Sequence, residues 1–199
     1  MEQEDGFYFD LDNKNLKTNY MKYKDELIRS MEYLADNPNT LFLGQSVAYT
    51  GNAIYNTLST IPNDRKIETP VFEDVQMGMS LGLAFEGFIP VTCYPRFDFL
   101  ICAINQMINH VDKANLMSRG QMKPRVIIRT SIGSTNPLNG GVQHTQDYTK
   151  AFTDMCRDHI EVVMLNEPKE IFPAFEKALL REDSKSTLLI ENGDFYNDK

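Results

Sequence analysis

Cysteine is scarce in this sequence, and long apolar runs are missing. The three cysteines, Cys93, Cys102 and Cys156, are odd in number and none stands two residues from another, so neither a disulfide framework nor a zinc knuckle is expected. That usage suits a reducing cytoplasm. Nothing reaches the roughly 18 consecutive apolar residues that a membrane span requires. The opening Met1-Glu2-Gln3-Glu4-Asp5-Gly6 is acidic and lacks the apolar centre of a secretory signal. Lys and Arg total 20 against 28 Asp and Glu, a net charge of −8, and the basic residues form no run that tracks phosphates. Neither nucleic acid nor an anionic membrane is an expected partner. The Walker phosphate loop, Gly-x-Gly-x-x-Gly after a strand and Gly-x-Ser-x-Gly are all absent, which removes the common nucleotide cradles and the nucleophile elbow. Gly44-Gln45-Ser46 has no closing glycine, and Ser46 reads as a turn residue. His110, His144 and His159 show no metal-ligand spacing, so no metal site held by this chain alone is expected.

What remains is an ordinary globular composition. With 199 residues and 42% apolar content, the chain suits one domain. A chain of this size buries about 70% of its unfolded surface and needs no disulfide or metal to hold a core. Residues 1–18 are rich in Asp, Glu and Lys, carry a Phe7-Tyr8-Phe9 cluster, and read as a flexible or partner-bound tail. Residues 19–199 read as a single domain. Leu27, Ile28, Met31, Leu34 and Ala35 recur at three and four and are stopped by Pro38, which predicts an amphipathic helix. Apolar runs over 41–44, 89–94, 125–130, 160–165 and 186–191 read as strands, with helices expected over 54–58, 73–85, 99–117, 146–156 and 168–181. The runs are continuous rather than alternating, as in parallel strands covered on both faces. Strand and helix in alternation predict an α/β three-layer sandwich around a mostly parallel sheet. Gly78 and Gly82, four apart in one helix, predict close packing of a second backbone.

Ligands of such sheets lie beyond the carboxyl ends of the strands, which directs attention to residues 45–51, 94–99 and 131–144. Taken singly, the chemistry-bearing residues there have ordinary explanations. Glu73 opens a helix, where the macrodipole favours a carboxylate, although Thr69 stands one residue too far back for the usual capping box. Phe97 and Phe99 suit a core as well as a stacked ligand. His144 lies in Gly140-Gly141-Val142-Gln143-His144-Thr145-Gln146, a glycine- and amide-rich loop that is a plausible place for a site.

Read in chain order, a set of segments resembles one family. These are Glu68-Thr69-Pro70-Val71-Phe72-Glu73, Gly82-Leu83-Ala84 with Gly87-Phe88-Ile89-Pro90, Phe97-Asp98-Phe99, and Ala103-Ile104-Asn105-Gln106-Met107-Ile108-Asn109. Asp112-Lys113-Ala114, Met117-Ser118-Arg119-Gly120, Pro124-Arg125-Val126-Ile127-Ile128-Arg129 and Gln143-His144-Thr145-Gln146 continue it. Together they resemble the pyrimidine-binding domain of thiamine diphosphate enzymes, specifically the beta subunit of the decarboxylating component of 2-oxo acid dehydrogenases. The likeness runs from about Tyr20 to Glu191. It implies the transketolase-like thiamine diphosphate-binding fold and one half of a two-chain enzyme that adds an ylid to a 2-oxo acid or ketose donor and cleaves a carbon–carbon bond. Glu73 then matches the glutamate that hydrogen-bonds the aminopyrimidine ring nitrogen and favours the imino tautomer. Phe99 matches the aromatic packed on the pyrimidine face, and His144 a histidine on the substrate and acyl-acceptor side. Gln45 stands in the cofactor pocket where the family strand ends in Leu-Gly-Glu. Asn105 replaces the usual Asp before Gln106, and Cys93 an acidic residue ahead of the aromatic segment.

The family's magnesium motif, Gly-Asp-Gly with a downstream Asn, is absent, and Asn192-Gly193-Asp194 is the nearest approach to it. The resemblance therefore implies an alpha-like partner chain that binds the diphosphate and holds most of the magnesium coordination, an α2β2 assembly with cofactor at each interface, and a small-molecule substrate. The family subunit continues into a third domain, whereas this sequence ends soon after Glu191, so docking on an acyltransferase core by that route is not expected. Acyl transfer to lipoamide is the direct family inference. Non-oxidative decarboxylation or acyloin formation, as in split transketolase-like enzymes, is the alternative. A non-catalytic scaffold or regulatory subunit is an alternative of another class, favoured by Gln45, Asn105 and Cys93 and opposed by Glu73 and His144.

Overall fold

The computed structural model describes residues 21–197 apart from residue 51, so the acidic tail expected over 1–18 lies outside the described residues. Tyr23, Leu27, Met31 and Leu34 line one side of α1 (Tyr23–Ala35), and all four are fully buried. The chain then runs through β1 (Thr40–Gly44), α2 (Ala53–Leu58), β2 (Lys66–Glu68), α3 (Glu73–Phe85) and β3 (Ile89–Tyr94). α4 (Phe97–Leu100) and α5 (Ala114–Met117) bound an irregular helical stretch. β4 (Ile127–Ile132), α6 (Thr149–Met155), β5 (Ile160–Met164), α7 (Pro168–Leu180) and β6 (Ser186–Asn192) follow. α7 starts sharply because Glu167 and Glu170 cap each other's backbone and Pro168 takes the first helical position, where its missing N–H costs nothing.

The strands form one six-stranded sheet in the order β2-β1-β3-β4-β6-β5, with every pairing parallel. Alternate residues of each strand feed opposite faces. Phe42, Val91, Ile127 and Leu189 pack with α1, α2 and α7. Val126, Ile128, Leu188 and Ile190 pack with Met77 of α3, the helical stretch after β3, and Phe152 of α6. The result is the expected three-layer α/β sandwich. Toward the carboxyl ends of β4 and β6, the buried Arg129 guanidinium pairs with Glu191, whose carboxylate also accepts from the Tyr196 hydroxyl. Cys93 faces Arg129 across the β3–β4 register, and burial pushes its thiol up to about 12.

Three expectations need correction. β2 is an extra strand, too short for any periodicity to announce it. The helix expected over 99–117 is broken into α4, a 3-10 turn at Ile101–Ala103, a π-helical turn at Gln106–Val111 and α5. The physical reason lies at Asp112. Its buried carboxylate accepts the backbone N–H groups of His159 (2.8 Å) and Ile160 (2.9 Å), and Lys113 pairs with both Asp112 and Asp158. The wide turn swings Asp112 toward the start of β5 while Met107 and Val111 stay in the core. Finally, among the described residues no backbone of another element approaches Gly78 or Gly82. A Cβ at Gly82 would meet nothing within 4 Å, and one at Gly78 would touch only the Gln106 side chain.

Candidate functional site at the strand ends

From β1 the chain steps to β2 on one side and then returns past β1 to β3 and β4 on the other. Strand order therefore reverses between β1 and β3, and the loops beyond their carboxyl ends diverge to leave a crevice. A cavity of about 310 Å³ occupies it. Gln45 and Ser46 enter it from the end of β1, and Pro70, Val71, Phe72 and Glu73 from the end of β2. Tyr94, Arg96 and Phe99 come from the end of β3, and His144 from the loop after β4. All four residues singled out from sequence, Gln45, Glu73, Phe99 and His144, line this one cavity.

Each wall is held by identifiable bonds. Gly44, at φ +150°, lies so close to the Cys93 carbonyl that a side chain there would collide with it. Beyond Gly44 the backbone turns through Ser46 at φ +56°, and the Glu68 carboxylate accepts the N–H groups of Ser46, Val47 (2.9 Å) and Ala48 (2.8 Å). Ser46 is thus a turn residue. α3 begins with Glu73 directly after Phe72, and no side chain caps it. The Thr69 hydroxyl instead meets the Gln76 amide at 3.3 Å, and that amide donates to Thr92 (2.9 Å) and to the Cys93 carbonyl (3.1 Å). The Tyr94 hydroxyl donates to the Glu73 carbonyl at 3.2 Å. These bonds pin the first turn of α3, and Glu73 with it, against β3. On the far wall the backbone of Gly133 passes directly beneath the His144 carbonyl, where any Cβ would overlap it. Gln146 ties the same loop to Asp98 of α4 at 3.0 Å, and the Phe99 and His144 rings meet edge to face at 5.3 Å.

Inside the cavity the polar groups are open. Among the described residues, the side chains of Glu73, Gln45 and His144 have no hydrogen-bond partner, while Asn52 uses its carbonyl oxygen on the Tyr55 N–H and leaves its amide donors free. Glu73 sits at the positive end of α3, which favours its negative charge. An aminopyrimidine needs a carboxylate at its ring edge and an apolar surface on its face. Glu73 and the 38%-exposed Phe99 fit those needs. No three His, Cys, Asp or Glu among the described residues converge as a metal site. Arg96 and Gln76 escape sequence reasoning. Arg96 lies within the flagged 94–99 segment, yet nothing but its place after a strand distinguishes it from any surface arginine.

Fold and cavity together define an α/β domain with an open crevice at its strand ends. The chain belongs to the transketolase pyrimidine-binding domain family, whose sequence model matches residues 24–197. It is 31% identical over 120 residues to a mitochondrial pyruvate dehydrogenase E1 component subunit beta-1 of Oryza sativa subsp. japonica, covering 59% of this chain and 32% of that protein. It is 29% identical over 123 residues to a 3-methyl-2-oxobutanoate dehydrogenase subunit beta of Mycobacterium tuberculosis, covering 60% and 34%. The chain thus matches about a third of the length of these curated relatives. Among solved structures, an inactive beta4 tetramer of a split-gene transketolase superposes with a TM-score of 0.64 at 16% identity, covering 86% of this chain and 51% of the other. A transketolase from Campylobacter jejuni gives 0.65 at 16% identity, covering 85% and 25%.

Proposed function

We propose that this chain is the pyrimidine-binding subunit of a two-chain thiamine diphosphate-dependent enzyme acting on a 2-oxo acid or ketose donor. One observation carries the reading: Gln45, Glu73, Phe99 and His144, delivered by four successive strand ends, converge on one cavity. Thiamine diphosphate, when bound, supplies the carbanion chemistry that breaks a bond beside a carbonyl. Glu73 holds a proton at the aminopyrimidine ring nitrogen, and Phe99 gives the ring an apolar face. His144 exchanges a proton with the substrate's carbonyl oxygen. Gln45 donates a hydrogen bond in the pocket but has no carboxyl through which to pass a proton. The 2-oxo acid dehydrogenase relatives support a 2-oxo acid donor with acyl transfer to lipoamide, and the split-gene transketolase likeness supports a ketose or aldehyde route.

The diphosphate and its magnesium belong to an alpha-like partner chain in an α2β2 assembly. The outer face of α3 supports such a partner, because Val75, Met79, Gly82 and Phe85 are exposed along it and Gly82 leaves room for a second backbone. The assembly works in the cytoplasm. Affinity capture from the native source tests the pairing, with a stoichiometric partner carrying Gly-Asp-Gly expected. In the reconstituted pair, Glu73→Gln should lower turnover at least about tenfold, the low side of an acid–base contribution. Unchanged turnover would remove the catalytic assignment. Gln45, Asn105 and Cys93 favour the second reading, a non-catalytic subunit, and capture without such a partner would select it.

A further inference from the structure

We infer that Arg96 is the anion-recognising residue of this cavity and holds an oxyanion of the substrate, a carboxylate or a phosphate. The inference rests on the cavity being the thiamine diphosphate site and goes beyond it by assigning the charge class of what enters beside the cofactor. Arg96 stands at the end of β3, two residues after Tyr94, and is one of the residues that line the cavity together with His144 and Phe99. Its Cδ runs past Gly133, in space that a Cβ at that position would crowd, so the glycine leaves room for the Arg96 stem beside the cavity. The head donates once, from Nη1 to the Pro95 carbonyl at 2.7 Å, and it takes part in none of the ion pairs among the described residues. A guanidinium carries five N–H donors in a fork that matches an oxyanion. Most of that fork is uncommitted.

The rest of the lining points the same way. Gln45, Ser46, Asn52 and His144 bring donors to the cavity, and Glu73 is its one carboxylate among the described residues. An acid in place of Gln45 would add a second negative charge and repel an incoming anion; the amide does not. Glu73 is matched to the aminopyrimidine edge, which is uncharged, so the cofactor ring offers Arg96 nothing to neutralise. The complementary species is an anionic group on the substrate, drawn toward a partly enclosed cation where screening is weak.

The test titrates the purified full chain with pyruvate, inorganic phosphate and, separately, 4-amino-2-methylpyrimidine at constant ionic strength, following Arg96 Nε–H and His144 ring resonances by NMR. Wild type should bind pyruvate or phosphate. Arg96→Gln should weaken that binding at least about tenfold, as expected when a charge-assisted pair is lost, while leaving aminopyrimidine binding unchanged. Arg96→Lys should restore part of the anion affinity, since it returns the charge without the fork. Glu73→Gln should do the reverse, abolishing aminopyrimidine binding and tightening the anion about twofold by removing the neighbouring negative charge. Pyruvate binding without phosphate binding assigns a 2-oxo acid donor, and the converse assigns a phosphorylated ketose. Equal anion affinity in wild type and Arg96→Gln, or no binding of either anion, overturns the inference and leaves the cofactor reading standing. Arg96-dependent anion binding without aminopyrimidine binding overturns the cofactor reading alone.

Discussion

Two glutamates show how the same side chain is fully engaged in one place and left open in another. Glu191 is fully buried, accepts from both Nε and Nη2 of Arg129, and accepts again from the Tyr196 hydroxyl. Burial pushes its carboxyl up, and the guanidinium beside it opposes that push. Tyr23 closes the cluster by donating to the Leu165 carbonyl (2.8 Å) and accepting the Asn192 N–H (3.0 Å), which joins α1 to the ends of β5 and β6. Glu73 is half-buried, its backbone is clamped through Tyr94, and its carboxylate meets no donor among the described residues. A carboxylate surrounded by fixed donors has no capacity left for a ligand. One held rigidly by its backbone but bare at its tip does.

The sharpest way to break this comparison is to remove each carboxylate in turn. Glu191→Ala strands the Arg129 guanidinium in the core and should cost about 3–5 kcal/mol, read from urea denaturation. The double variant Arg129→Met with Glu191→Leu should recover most of the loss, because neither charge then needs a partner. Glu73→Gln should change stability by only about 0.5 kcal/mol, since the tip has no hydrogen bond among the described residues for the amide to lose and what goes is the pull of the α3 dipole on its charge. Equal costs at the two sites would erase the distinction.

Glu68 lies between these extremes and sharpens the contrast. It is half-buried outside the cavity and gathers three backbone N–H groups of the loop that carries Gln45 and Ser46. Glu68→Gln keeps a single carbonyl acceptor for those three donors and should cost about 1–2 kcal/mol. Amide exchange at Ser46, Val47 and Ala48 should speed up selectively, which separates loosening of one wall from global unfolding.

The legible parts of the molecule are those whose cause is local. The central strands announce themselves through continuous apolar runs, because both faces of a parallel strand are covered, and α1 through its apolar spacing ended at Pro38. Glu73, Phe99 and His144 become readable as a set through the order of motifs around them, while each alone also suits a helix start, a core or a surface loop. What stays hidden depends on distant partners. The π turn before Asp112 exists because two N–H groups at the start of β5, nearly fifty residues on, need an acceptor. The positioning role of Gln76 requires β3 beside it, and the open fork of Arg96 requires knowing that it joins no ion pair among the described residues. Gly78 and Gly82 predict a close backbone approach that no described residue makes. Gly82 is exposed with open space beside it, whereas Gly78 is half-buried against the Gln106 side chain.

The smallest expected effect belongs to a carboxylate at the solvent end of the series. Asp183 receives both Nε and Nη2 of Arg181 at 2.7 Å, and its side chain is 50% exposed. Hydrogen bonding from Arg181 holds its carboxyl down at about 2, against an ordinary value of 3.8. A carboxyl depressed on folding stabilises the folded state above its unfolded value. That contribution is in full force above pH 4 to 5, fades as pH falls through the interval down to about 2, and is gone below it. Solvent screening of so exposed a pair reduces the effect to roughly 0.5 kcal/mol. Asp183→Asn should therefore lower stability slightly at pH 7, and its stability curve should converge with that of wild type as pH drops toward 2. A pH-independent gap between the two curves would mean that Asp183 acts through loop geometry after α7 and not through its charge, and the ordering of carboxylates by exposure would then fail at its solvent end.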